Sequence, residues 1–150
     1  AILVQDAAYL VIVPNIVPDT PPLKNNPVFL YAQDRFQKPI PFQPDISVDI
    51  SDVYLKKFHG VAAHKSQFFE WGPWLDGKLN EVPEDENKRD EWLSREWKEQ
   101  INPAVRESLA KWYGKEKAGK VTDAESFEIC EYGRRPGDDE IRKLFPMLGN

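Results

Sequence analysis

Only one of the 150 residues is cysteine, Cys130, so the chain can form no internal disulfide and nothing in its sulfur content calls for an oxidising compartment. A cytoplasmic setting is the expectation. Histidine is nearly as scarce, with His59 and His64 alone. A self-contained zinc site calls for His residues at i and i+4 or for a Cys/His cluster, and the chain has neither. Its eight glycines are too sparse and wrongly spaced for a phosphate loop, a dinucleotide fingerprint or a nucleophile elbow. Lys and Arg number 20 against 25 Asp and Glu, and a net charge of -5 argues against the clustered positive surface that nucleic acid or an anionic membrane requires. The longest apolar run, Ala7 to Val13, falls far short of the roughly 18 to 20 residues of a membrane span, and no basic segment precedes it as in a signal peptide. There is no internal repeat and no low-complexity segment.

What remains is a chain that is 41% hydrophobic, sufficient for one core that buries about 70% of the surface exposed on unfolding. Residues 1–150 are therefore expected to form a single domain or a domain fragment. The apolar periodicity of residues 2–13, with Leu3, Ala7, Leu10 and Val11 on one stripe, predicts a helix stopped by Pro14, although Leu10 to Val13 would also suit the end of a strand. Eight of the 13 prolines fall between Pro14 and Pro44, where they impose ordered, non-helical loops around a short apolar strand, Val28 to Tyr31. Asp34 and Arg35 follow the end of that strand, the position at which α/β proteins place ligands.

Ile46, Val48 and Ile50 alternate with polar residues and predict a second strand. It leads into a helix from about Val53 to Phe69, capped by Ser51 or Asp52, with Leu55, Phe58, Ala62 and Phe69 toward the core and a stop near Gly72-Pro73. Residues 76–120 are dense in charge of both signs and read as a helical insertion. One helix there covers about 87–101 with Leu93, Trp97 and Ile101 on a stripe. Another starts with Asn102 as N-cap and Pro103 as its first residue, and buries Val105, Leu109 and Trp112. Residues 115–120 read as an exposed loop, 126–131 as an apolar-alternating stretch, and Asp138 to Leu144 as a last short helix.

His59 and His64, five residues apart on one predicted helix, point about 140° away from each other and do not share a metal. His64 and Gln67, at i and i+3, share a polar face with Gly60, which suits either a surface strip or the wall of a pocket. Asp138, Asp139 and Glu140 read as acids complementing a helix N-terminus rather than as a cation site. Trp92, Trp97 and Trp112 sit at core spacing, which leaves Trp71 and Trp74 as an aromatic pair able to stack against a ligand.

Taken in order, the segments Asp45 to Asp52, Gly60-Val61-Ala62-Ala63-His64-Lys65-Ser66-Gln67-Phe68, Asp123-Ala124-Glu125-Ser126-Phe127 and Arg142-Lys143-Leu144-Phe145-Pro146 resemble the later half of the LmbE-like, or PIG-L-type, deacetylases. Val13-Pro14, Asp34-Arg35 and Lys38-Pro39 fit the same order, and only 76–120 stands apart. The resemblance implies an α/β fold, the C-terminal part of a Rossmann-like three-layer sandwich with additional helices. It also implies a zinc enzyme that removes the N-acetyl group of an amino sugar or a related amide, with zinc polarising the carbonyl and an Asp as general base. The family's His-Pro-Asp-Asp-Glu and His-Pro-Asp-His motifs are not in this chain, so none of its residues is assigned to the metal.

On that resemblance His64 is the catalytic candidate, and Asp34, Arg35, Gln67 and Trp71 are candidate substrate contacts. The expected partners are a missing N-terminal half or a partner subunit, an amino-sugar substrate and further copies of the chain in a homo-oligomer. The alternative is a non-catalytic domain that binds carbohydrate through Trp71 and Trp74 or assembles subunits through its charged helices.

Overall fold

In the computed structural model, residues 2–98 and 101–148 are described. Helix α1 (Ile2–Leu10) precedes the proline-rich segment and strand β1 (Leu30–Ala32). Strand β2 (Ile46–Asp49) passes through a 3-10 turn, Ser51–Val53, into α2 (Tyr54–Val61). A π-helix over Ser66–Trp71 runs directly into α3 (Gly72–Leu75), and 3-10 turns at Leu79–Glu81 and Glu86–Lys88 lead to α4 (Arg89–Glu96). Helices α5 (Pro103–Tyr113) and α6 (Lys115–Lys120), strand β3 (Ala124–Ile129) and α7 (Asp138–Leu144) complete the order. The fold is mixed α/β, 48% helical, with a three-stranded antiparallel sheet in the order β1-β3-β2. No helix among the described residues is long and apolar enough to cross a membrane.

The chain divides into two compact units, the first made of Ala1–Val48, Asn102–Lys120 and Glu125–Asn150, the second of Asp49–Ile101 and Val121–Ala124. In the first, the β1–β3 register sets Leu30 opposite Ile129 and Ala32 opposite Phe127. Its buried side chains include Ile46 and Val48 of β2, Val105, Leu109 and Trp112 of α5, and Ile141 of α7. Each large apolar side chain removed from water in this way stabilises by about 1.5–3 kcal/mol. The indole N–H of Trp112 is satisfied by the Asp45 carbonyl at 2.9 Å, tying the helix to the start of β2. Asn102 caps α5 as its sequence predicts, its Oδ1 accepting from the Val105 N–H at 2.9 Å, with Pro103 in the first turn.

In the second unit the core is Phe58, Phe69, Trp92 and Leu93, flanked by Tyr54, Val61, Ala62, Phe68 and Val82. The Tyr54 ring meets Phe58 edge-on at 4.9 Å, and its hydroxyl donates to the Ser94 carbonyl at 2.9 Å.

Several sequence expectations need correction. The buried residue of α1 is Ala8, while Leu3 is 84% exposed, so the stripe through Leu3 is not the one that packs. The α2 face toward the core runs through Tyr54, Phe58 and Val61 rather than Leu55, which is exposed. Neither Ser51 nor Asp52 caps that helix; Ser51 instead donates through its hydroxyl to Asp49 Oδ1 at 2.6 Å. The chain stays helical through Gly72-Pro73, because Pro73 falls in the first turn of α3, where no N–H donor is needed. Helix α4 ends at Glu96, short of Ile101, and Trp97 lies mostly exposed beyond it; residues 99 and 100 of the expected helix lie outside the described residues. Residues 115–120 form a helix rather than a loop. Gly114 at φ 80° turns the chain, Ala118 is buried, and the Arg106 guanidinium donates to the Ala118 carbonyl.

Candidate functional site

The residues expected to line a site divide between the two units. Asp34 and Arg35 belong to the first, in the loop that follows β1. The Gln33 N–H donates to the Ser126 carbonyl at 3.2 Å, which anchors the start of that loop on β3. Asp34 then folds back on its own backbone, Oδ1 accepting from the Phe36 N–H at 2.9 Å, an Asx-type turn that fixes the carboxylate locally. Arg35 beside it is exposed.

His64, Gln67 and Trp71 belong to the second unit and lie along ten residues of chain whose helix is not continuous. Helix α2 ends at Val61, two turn residues follow, and the chain re-enters a helical path at His64, whose carbonyl accepts from both Gln67 N–H and Phe68 N–H at 3.1 Å. From Ser66 the helix is wound as π rather than α. The even α-helical spacing that placed His64 and Gln67 on one face with Gly60 therefore does not apply, and the two histidines are parted by a break in the helix as well as by phase. A π-segment is uncommon and often marks a functional site. Its local cause is visible at the end: Gly72 N–H bonds to the Gln67 carbonyl, and a Cβ at residue 72 would lie 2.9 Å from that same oxygen.

His64 is exposed, and its ring meets Phe68 edge-on, 6.5 Å between centroids; Phe68 in turn meets Trp97 at 5.0 Å. The imidazole thus rests on an aromatic row rooted in the core of this unit. Gln67 is exposed as well. The other histidine, His59, has a different occupation, with Nδ1 2.7 Å from Asp90 Oδ2.

Trp71 and Trp74 stand 58% and 66% exposed and, with Ser66, Glu70 and Leu79, line an open groove of about 440 Å³. The sequence singled out the two indoles but not Glu70 or Leu79. The signal for Glu70 was its place beside Trp71; Leu79 reaches the groove only because the chain turns after α3.

Zinc is the cofactor implied by the resemblance. Among the described residues no group of three or more His, Cys, Asp or Glu side chains is placed to hold a metal ion. Asp138, Asp139 and Glu140 occupy the first turn of α7, where Asp138 pairs with Lys111 at 3.0 Å and Glu140 with Arg134. They complement the helix terminus and its basic neighbours.

Comparison with protein-family models, with curated proteins and with solved structures gave no match to this chain.

Proposed function

We propose that this chain is the C-terminal portion of a zinc-dependent deacetylase of the LmbE-like, PIG-L type, which hydrolyses the N-acetyl group of an amino sugar or a related amide. The metal-binding motifs lie outside these residues, in an N-terminal half or a partner subunit, and the setting is cytoplasmic. The observation that carries the reading is the order of its resembling segments. The first of them, Asp45 to Asp52, contains strand β2 and leads through α2 to the His64 segment, and Asp123 to Phe127 covers the first part of the neighbouring strand β3.

On this reading the three-stranded sheet is the C-terminal part of a Rossmann-like three-layer sandwich. Strands β1 and β2 stand at its edges, and an edge strand offers unpaired backbone groups to a further strand. His64 is the polar group this portion supplies toward the reacting amide, its ring edge-on to Phe68, with Gln67 and Trp71 on the same segment. An exposed imidazole can reach a substrate and hold or pass a proton there.

The test is an acetate-release assay on N-acetylglucosamine-bearing substrates, using the chain joined to a segment that carries both His/Asp motifs and loaded with zinc. His64→Ala is expected to lower turnover by about 100-fold with folding intact. Full zinc loading without hydrolysis removes the deacetylase reading, whereas an unchanged rate in folded His64→Ala removes only His64 from it. The isolated chain equilibrated with zinc is expected to show no stoichiometric site, and tight binding of one equivalent would contradict the assignment of the ligands to another segment.

A further inference from the structure

We propose that the groove lined by Trp71 and Trp74 binds a small quaternary ammonium compound, with the Glu70 carboxylate as its counter-charge. Three observations combine. Two indoles three residues apart are largely exposed on the same short helical stretch, and Leu79 closes the apolar lining. At about 440 Å³ the groove is of the size that holds a small molecule. Its charged lining group is an acid, and no basic side chain lines it.

The charge argument turns on the lysines that lie near Glu70 in sequence. Lys65 is engaged by Glu86 at 2.9 Å, and Lys78 by Glu96 at 2.6 Å. Arg89 pairs with the same Glu86 at 3.1 Å and stacks over the Phe69 ring. Among the described residues the Glu70 carboxylate has no hydrogen bond or ion pair. An uncompensated carboxylate beside two indole faces favours a cation with an apolar surface, because the ring quadrupoles attract positive charge and the methyl groups fill apolar space. A compact primary ammonium is strongly hydrated and gives up more on entering such a groove than a methylated one does. An uncharged sugar can stack on the indoles and donate a hydroxyl to Glu70, but it leaves the carboxylate's charge uncompensated. The inference stands independently of the deacetylase reading, since it uses none of that reading's residues except Trp71.

The experiment titrates the 150-residue chain with choline chloride and, at matched ionic strength, with 3,3-dimethylbutan-1-ol, the uncharged isostere of choline, following tryptophan fluorescence. Methyl glucoside serves as the uncharged sugar probe. Choline is expected to saturate the signal, and both neutral compounds to bind at least about tenfold more weakly. Glu70→Gln is expected to bring choline down to the level of its isostere, and Trp74→Ala to abolish the response. Both positions are exposed, so circular dichroism is expected to show both variants folded. Equal binding of choline and its isostere, tighter binding of the glucoside, choline affinity that survives Glu70→Gln, or no saturable choline response would each overturn the proposal.

Discussion

Ser47 and Ser126 face each other from strands β2 and β3 with their Oγ atoms 2.8 Å apart, both side chains buried. Each hydroxyl is the other's partner across 79 positions of sequence. Removing one leaves a buried hydroxyl unsatisfied, which costs about 1–3 kcal/mol, while removing both leaves two small apolar groups in contact. Ser47→Ala and Ser126→Ala are each expected to lower the denaturant midpoint, and the double variant to lose clearly less than the two singles combined. Strict additivity in that double-mutant cycle would show that the hydroxyls are not coupled.

In the second unit, Asp123 is the buried acid and Lys98 its cation, with Nζ 2.7 Å from Oδ1. The carboxylate also accepts from the Thr122 hydroxyl at 2.8 Å, and the Lys98 ammonium lies over the Tyr54 ring. Lys98→Met keeps the aliphatic stem and strands the acid. Because Lys98 itself is half exposed, the expected loss is only about 1–2 kcal/mol, below that of a fully buried pair. Urea denaturation of the variant measures it, and a change under about 0.3 kcal/mol would mean that water and Thr122 already satisfy Asp123.

Asn102→Ala removes the side-chain acceptor at the start of α5 and is expected to cost about 1 kcal/mol. Asn102→Asp keeps the acceptor and is expected to retain the stability. The paired thermal midpoints separate a capping role from a general intolerance of change at this position.

Tyr31 is expected to titrate late. Its hydroxyl lies 2.6 Å from Gln5 Nε2, 3.1 Å from Cys130 Sγ and 3.3 Å from Glu131 Oε2. Desolvation foremost, then the Cys130 contact and the Glu131 charge, raise its pKa above the ordinary value of 10.0, with the Gln5 hydrogen bond opposing them. A raised folded-state pKa means that the native state holds the phenolic proton more tightly. The stabilisation is therefore complete below pH 10 and is lost as pH rises through the folded value. Ultraviolet titration is expected to show a late-ionising step, and Tyr31→Phe to remove it. A late step that survives Tyr31→Phe would contradict the assignment.

The parts of the fold legible in the sequence are those governed by local chemistry. Asn102-Pro103 announces α5, and the acids after Gly137 announce α7, because caps and first-turn charges act within one turn. The alternation of Ile46 and Val48 announces β2 for the same local reason. What the sequence conceals depends on packing at a distance. Helix α6 looks like a solvated charge run until Ala118 is seen buried, and Trp97, at core spacing, ends outside the core once α4 stops at Glu96. The π-winding after His64 has no periodic signature that separates it from an α-helix, so its disruption of the face read for His64 and Gln67 was not legible. The exposed indoles of Trp71 and Trp74 were, because neither fits an apolar stripe.

The middle position of β3 orders events in time as well as in space. Strands β1 and β2 lie close in sequence yet do not pair with each other; both are joined through a strand that begins at Ala124. A chain emerging from the ribosome has therefore made both outer strands long before the one that unites them. Closing loops of 79 and 99 residues, as the Ser47–Ser126 and Leu30–Ile129 pairings require, is entropically costly and slows folding. During that interval the apolar residues of β2, Ile46 and Val48, have no sheet to enter, and they stay exposed to association with other chains until residues 124–129 are in place.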